Sequence, residues 1–356
     1  MCIRDRFYEV LTLTTYPLVV HRGTEASLRA GGIYLRYTLL GSAAILLAMI
    51  WLYVLAGPFD FTETGAIGFP GPDHRLPLIL IFFLLVGGFG VKAALAPLHR
   101  WLPEAMVAPA PVSALLHAVA VVKAGVFTVV KVIVYVFGID SIRGLASVDW
   151  LPTVAAFTIV AASIVALRSD NLKRRLAYST VSQLSYVILA AALLTPLSVM
   201  GAAMHIAAHA FGKITLFFAA GAIYTAAHKT EVSQLDGIGR RMPWTMGAFA
   251  VGAVSMIGLP PTAGFASKWF ILSGAYEAGH WVAIATIAAS TLLSAGYLLP
   301  IVFRAFFRPS ADGHGHAHGE APLPMVVAMV ATAVATVLMF FFADLPLSLA
   351  RQLVGG

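Results

Sequence analysis

Only one cysteine, Cys2, occurs in the 356 residues. A lone thiol excludes an internal disulfide framework and any cysteine-held zinc or iron–sulfur centre. Charge is also scarce: 11% of residues are Asp, Glu, Lys or Arg, against about 25% in soluble domains. Acids are the rarer sign, 16 against 23 Lys and Arg. With 60% hydrophobic residues and a mean hydropathy of +0.87, the chain is an integral membrane protein whose solvent is the lipid bilayer. The pI near 9.6 does not mark a nucleic-acid partner, because the basic residues are scattered between apolar spans. A Walker loop, a dinucleotide fingerprint and haem or flavin motifs are all missing. The chain therefore has no redox chemistry or ATP hydrolysis of its own, no cofactor is expected, and an ion gradient or a partner subunit must drive it. The start, MCIRDRFYEV, is charged and lacks the small-residue cleavage site of a signal peptide.

An apolar run of about 20 residues crosses a bilayer. Ten candidates are present: 7 to 21, 30 to 56, 77 to 98, 111 to 138, 151 to 167, 176 to 194, 198 to 226, 244 to 275, 281 to 303 and 323 to 344. The first is short and reads as an incomplete span. Loops after odd-numbered spans carry Arg22, Arg29, Arg100, Arg168, Lys173, Arg174, Arg175, Lys229, Arg240, Arg241, Arg304 and Arg308. Loops after even-numbered spans carry only Arg75 and Arg143, beside Asp60, Glu63, Asp73, Asp140 and Asp149. This alternation places the odd loops in the cytoplasm and both chain ends outside, with Arg4 and Arg6 as exceptions.

Two spans are interrupted. KAALAPLHRWLPEAMVAPAP, 92 to 111, has four prolines, and MIGLPPTAGFASK, 256 to 268, has a Pro-Pro pair flanked by glycines. Proline breaks a helix, and in a bilayer the freed backbone groups must be buried in protein or meet water. Two such breaks, each beside a lysine, fit a transporter built from repeated halves. The expected fold is all-α and polytopic, with about ten transmembrane helices, two of them discontinuous. Residues 1–310 form the membrane domain, 311–322 a His/Gly-rich cytoplasmic loop, and 323–356 a last helix and tail.

Seven ionisable residues lie inside the apolar segments: Glu9, Lys92, Lys123, His205, His209, Lys213 and Lys268. A mid-helix lysine costs about 2.5–3.5 kcal/mol to insert, so seven such groups imply an interior polar path, and protonatable groups make it a proton path. His205, His209 and Lys213 recur every fourth residue, each about 6 Å above the last on one helix stripe, and histidine gains and loses a proton near neutral pH. Burial disfavours a charged lysine while a nearby carboxylate favours it. Glu9, the only acid well inside a span, is the natural partner. Lys131, nearer the outer end of its span, reads as a snorkelling side chain. His117 is six residues from Lys123 and is expected on another face. His99 lies in the proline-rich break, where backbone capping explains it equally well. HGHAHGE, 314 to 320, reads as a solvated loop with at most weak zinc or nickel affinity. No metal site is expected in the membrane.

KAALAPLHRWLPEAMVAPAPVSALLHAVAVVKAG, NLKRRLAYSTVSQLSY, HIAAHAFGKITLFFAAGAI and GLPPTAGFASK resemble the antiporter-like membrane subunits shared by Mrp-type cation/proton antiporters, respiratory complex I and membrane-bound hydrogenases. The resemblance runs from about residue 7 to about 307, and FYEVLTLTTYPLVVH resembles the Mrp D-subunit branch. It implies that Glu9 is the essential glutamate of the family's fifth helix and Lys92 the lysine of the broken seventh. Lys123 is then the lysine of the eighth, His205, His209 and Lys213 the polar groups of the eleventh, and Lys268 the lysine of the broken twelfth near the exit. It further implies a Na⁺/proton antiporter subunit, with other membrane subunits as partners, in a bacterial or archaeal plasma membrane. The alternative is a proton-pumping subunit of a quinone- or hydrogenase-linked redox complex, of the NADH:quinone oxidoreductase type. Fourteen spans are usual in the family, so the chain reads as lacking the first four, as a gene fragment would. Gly212 replaces a bulkier aromatic and is expected to loosen packing beside Lys213.

Overall fold

In the computed structural model, residues 2–62, 65–67, 74–145, 149–309 and 319–354 are described. The histidines of the 314–320 motif lie outside them. Helices follow one another along the chain: α1 (Cys2–Val20), α2 (Glu25–Ala56), α3 (Arg75–Lys92), α4 (Ala110–Phe137), α5 (Trp150–Arg168), α6 (Leu172–Ala192) and α7 (Pro196–Ala227). After them come α8 (Pro243–Ile257), α9 (Ala263–Glu277), α10 (Trp281–Phe307), α11 (Leu323–Phe341) and the short α12 (Asp344–Arg351). The architecture is an all-α, polytopic membrane bundle.

Helix starts follow local chemistry. Thr24 caps α2 by accepting from Ser27 N at 3.2 Å, and Asn171 caps α6 by accepting from Arg174 N at 3.0 Å. Thr195 and Ser198 form a reciprocal capping box at α7, whose first residue is Pro196.

Among the described residues seven helices are long and apolar enough to cross a membrane: α2, α3, α4, α5, α7, α10 and α11. All ten expected runs are helical, and the other three differ for identifiable reasons. The helix of the first run extends from Cys2 to Val20, with an apolar stretch of only Phe7–Val20. The run 244 to 275 is two half-helices, α8 and α9, separated by Gly258 at φ +89° and the Pro-Pro pair. Helix α6 is long enough but polar, and 17 of its 21 residues are buried in protein. It needs no apolar surface because it meets little lipid.

The loops sort as the charge pattern requires. Lys173 Nζ donates to the carbonyls of Met106 and Ala108 at 2.7 and 2.6 Å, Ser233 Oγ donates to Asp170 Oδ2 at 2.6 Å, and Arg304 pairs with Asp236 at 2.7 Å. These contacts join loops that follow odd-numbered spans. On the other side Arg75 Nη2 donates to Gly144 O at 3.1 Å and Arg143 Nη2 to Leu194 O at 2.5 Å, joining even-numbered loops.

Both proline breaks are satisfied inside the protein. After α3 the chain turns through Ala94 at φ 57°, the Trp101 indole donates to Val91 O at 2.7 Å, and Ala96 N donates to Thr158 Oγ1 at 3.2 Å. The Gly125 Cα of α4 sits directly on this break: a Cβ there would lie 2.4 Å from Ala93 N and 2.7 Å from the Lys92 carbonyl carbon. In the second break Thr262 Oγ1 donates to Leu259 O at 2.7 Å.

A third irregularity was not expected. Helix α4 makes a π-helical turn over Leu115–Val119, bends at Ala120, and makes a second π-helical turn over Val132–Phe137. Such turns insert extra backbone per turn and shift the register of side chains on either side.

Candidate functional site

Lys92, Lys123, His205, His209, Lys213 and Lys268 are all buried, while Glu9 is half-buried. The structure brings most of them into one connected line through the bundle.

Its centre joins α4 to α7. The Lys123 ammonium lies 2.7 Å from His209 Nδ1. One turn earlier on α7 the His205 ring stands 6.3 Å from that of His209, centroid to centroid. His205 in turn uses both nitrogens: Nδ1 lies 2.9 Å from Ser267 Oγ on α9, and Nε2 lies 3.1 Å from Gln183 Oε1 on α6. The residue after Ser267 is Lys268. Its ammonium donates to the carbonyls of Met256 and Ile257 at 2.8 and 3.0 Å and lies 4.8 Å from the Tyr186 ring centroid. Lys268 thus caps the end of α8 that the Pro-Pro break leaves open, where a cation is favoured by the helix dipole.

Lys213, one turn beyond His209, donates to Leu176 O on α6 at 3.2 Å. It is held off the Lys123–His209 contact rather than bonded into it. Lys92 occupies the end of α3, where its ammonium donates to Tyr8 O at 2.5 Å and sits 3.2 Å from the Tyr8 ring centroid. The Glu9 carboxylate accepts from Ser42 Oγ of α2. Lys92 is therefore tied to the backbone one residue before Glu9, and the Glu9 carboxylate to Ser42.

Two expectations are corrected. His117 does not point away from the Lys123 side: its ring packs 5.2 Å from Phe217 of α7, the helix that Lys123 also meets. The π-helical turn over Leu115–Val119, which contains His117, and the bend at Ala120 break the regular α-helical spacing between His117 and Lys123. Both ring nitrogens of His117, and Nε2 of His209, are buried with no protein hydrogen-bond partner. Gly212 does not loosen the packing beside Lys213. A Cβ there would lie 2.5 Å from Met256 Cε and 3.3 Å from Ser255 Oγ, and a Cβ on the facing Gly252 would lie 3.1 Å from Gly212 O. The missing side chain lets α7 and α8 close on one another. The Lys131 ammonium lies 3.9 Å from the Phe61 ring centroid.

Gln183, Ser267, Tyr186 and Tyr8 also contact the line, and the search for ionisable groups in apolar runs missed them. For Gln183 a signal existed: TVSQLSY is too polar for a lipid-facing helix, so its side chains had to find partners inside the protein.

The family described as the NADH:quinone oxidoreductase/Mrp antiporter transmembrane family matches residues 6–294. The chain is 37% identical over 308 residues to NADH-quinone oxidoreductase subunit N of Desulforudis audaxviator, covering 85% of this chain and 60% of that protein. It thus spans about three fifths of the length of that curated relative. Its fold matches a chain of the Mrp complex from Dietzia sp. with a TM-score of 0.84 at 21% identity, over 98% of this chain and 72% of that one. It also matches a chain of respiratory complex I from Thermus thermophilus with a TM-score of 0.74 at 27% identity, over 96% and 73%. These structural neighbours are chains of multisubunit membrane complexes. With the family match running over most of its length, the chain belongs to the NADH:quinone oxidoreductase/Mrp antiporter transmembrane family.

Proposed function

We propose that this chain is a proton-translocating subunit of a multisubunit monovalent cation/proton antiporter, with Na⁺ as the exchanged cation, in a bacterial or archaeal plasma membrane. The observation that carries this reading is the run of buried polar and protonatable groups from Lys123 through His209 and His205 to Ser267 beside Lys268, opened by a direct 2.7 Å contact. A proton arriving at Lys123 passes to His209 along that contact. Between His209 and His205 the spacing suits a bridging water, and from His205 the Ser267 hydroxyl leads toward Lys268. Lys92 stands upstream, beside the α4 backbone at Gly125, and Glu9 influences it through the adjoining Tyr8. Only N–H and O–H bonds are exchanged along the path.

A second reading has a specific observation behind it: the 37% identity to a NADH-quinone oxidoreductase subunit. In that case the same groups move protons with energy from a redox partner. Inverted vesicles carrying the complete complex separate the two. Sodium addition should dequench a pH-sensitive dye in the wild type and not in Lys92→Ala of equal assembly. Proton uptake that ignores sodium but responds to an electron donor assigns the chain to the redox pump. Flux unchanged in Lys92→Ala overturns both.

A further inference from the structure

Helix α8 ends at the carbonyls of Met256 and Ile257 that hold Lys268, and its other end is held from far along the chain. Pro243 opens the helix, and Met242 before it supplies no side-chain cap. The cap comes instead from Glu320, three residues before the start of α11. Glu320 Oε2 accepts from Trp244 N at 3.0 Å and from Thr245 N at 3.4 Å. Its Oε1 accepts from the Thr245 hydroxyl and from Ala321 N at 3.1 Å. Donors that a helix start leaves open are thereby met, and a carboxylate there is favoured by the helix dipole. The caps of α2, α6 and α7 come from the residue just before each helix, so a cap from 75 positions away is a tertiary contact of another kind.

The placement of α8 depends on this contact. The chain is interrupted at Gly258 and the Pro-Pro pair, so α8 does not continue into α9. On the α11 side a groove of about 600 Å³ runs between Trp244 and Val251 of α8 and Val330 and Val334 of α11, and it leaves Gly247 facing open space. Among the described residues, the side-chain hydrogen bonds that tie α8 to other elements lie at its two ends, on Glu320 and on Lys268. Glu320 is itself referred to α7, because the Thr215 hydroxyl of α7 donates to Thr332 of α11 at 2.7 Å. A hydrogen-bonded helix moves along its axis as a rod, so a shift at Trp244 is carried to Met256 and Ile257.

We propose that Glu320 is a positioning residue for Lys268. By holding the start of α8 it sets where the Met256 and Ile257 carbonyls stand, and so where the Lys268 ammonium sits beside Ser267 and His205. This role rests on the reading of Lys268 as part of the proton path.

Hydrogen exchange and dye-monitored flux of the complete complex test it together. In Glu320→Ala exchange should quicken in the first turn of α8 and also, by roughly tenfold, in a peptide covering 253 to 260. There Gly258 N and Leu259 N donate to Val254 O at 3.0 and 3.1 Å, at the far end of the helix from the substitution. A cap with only local effect would fray the first turn alone. Flux should fall roughly tenfold, the worth of one hydrogen bond to a charged group. Glu320→Gln keeps an acceptor for the Trp244 and Thr245 amides and should restore most of both. Unchanged exchange at 253 to 260 in Glu320→Ala overturns the proposal, whatever the flux. So does a Glu320→Gln protein as impaired as Glu320→Ala. Faster exchange there with flux unchanged overturns the place of Lys268 in the proton path, and the positioning role with it, while the anchor on α8 stands. Should Glu320→Ala fail to assemble, Thr245→Val, which removes the hydroxyl donor alone, decides. Faster exchange at 253 to 260 with lower flux then supports the proposal, and wild-type values overturn it.

Discussion

The Lys123 ammonium and His209 Nδ1 stand 2.7 Å apart across the α4–α7 interface. At that distance one nitrogen donates and the other accepts, so the pair holds one shared proton rather than two charges. The contact fixes which His209 nitrogen faces Lys123 and leaves Nε2 buried without a protein partner.

The pair should behave as a unit. Lys123→Met and His209→Phe are each expected to lower proton flux by roughly 100-fold, the scale of losing one positioned acid–base group. The double variant should be no slower than either single one, since residues acting together are non-additive. Dye-monitored flux in vesicles of matched protein content gives the three rates. Losses that multiply would mean that Lys123 and His209 serve separate routes.

A tight backbone approach predicts a contrast between two glycines. A Cβ on Gly125 would lie 2.4 Å from Ala93 N, whereas one on Gly87 meets nothing within 4 Å. Gly125→Ala must push α4 off the break after Lys92, an overpacking cost of about 1–3 kcal/mol. Gly87→Ala adds helix propensity, with a gain of up to about 1 kcal/mol. Melting midpoints in detergent should fall for the first and hold or rise for the second. Equal midpoints would show that α4 does not rest on the break.

Much of this was legible in the chain because membrane burial makes charge conspicuous. Lys92, Lys123, His205, His209 and Lys268 stood out against apolar neighbours, and both proline breaks fell where helices end. The line's neutral members did not stand out. Ser267 and Gln183 have no charge to be conspicuous, and only the packing of α6 and α9 against α7 shows that they hold His205. His117 was misplaced because i, i+6 arithmetic assumes a regular α-helix, and no residue in LLHAV announces a π-helical turn. Gly212 was misjudged because a missing side chain permits either a void or a closer helix, and the facing Gly252 decides for closeness.

Lys268 combines a structural task with a place in the line, and two substitutions separate them. Lys268→Ala leaves the buried carbonyls of Met256 and Ile257 without their donor, at about 1–3 kcal/mol for each unsatisfied group. It should lower both the melting midpoint and the flux. His205→Gln keeps a polar side chain between Ser267 and Gln183 but cannot take up a proton, so flux should fall roughly 100-fold with little change in melting. A His205→Gln protein that melts as early as Lys268→Ala would reduce His205 to a packing residue.

On the loop side, Asp236 ties the end of α10 to the segment after α7. Arg304 Nε donates to it at 2.7 Å and Arg304 Nη2 at 3.2 Å, with Arg308 3.7 Å away. The hydrogen bonds from Arg304, aided by its charge and that of Arg308, hold the Asp236 carboxyl below its ordinary 3.8. A carboxylate with a lowered folded pKa adds stability that is complete above the unfolded value and disappears as pH falls through the folded one. Asp236→Asn should therefore melt earlier than wild type at about pH 7. The two melting curves should converge as the pH drops below about 4, near the ordinary aspartate value. Added salt should narrow the gap at neutral pH, because Arg308 is half exposed and screened. Melting midpoints of both proteins across this range are the measurement, and a gap that persists undiminished at the acid end would show that the Arg304–Asp236 contact does not act through charge.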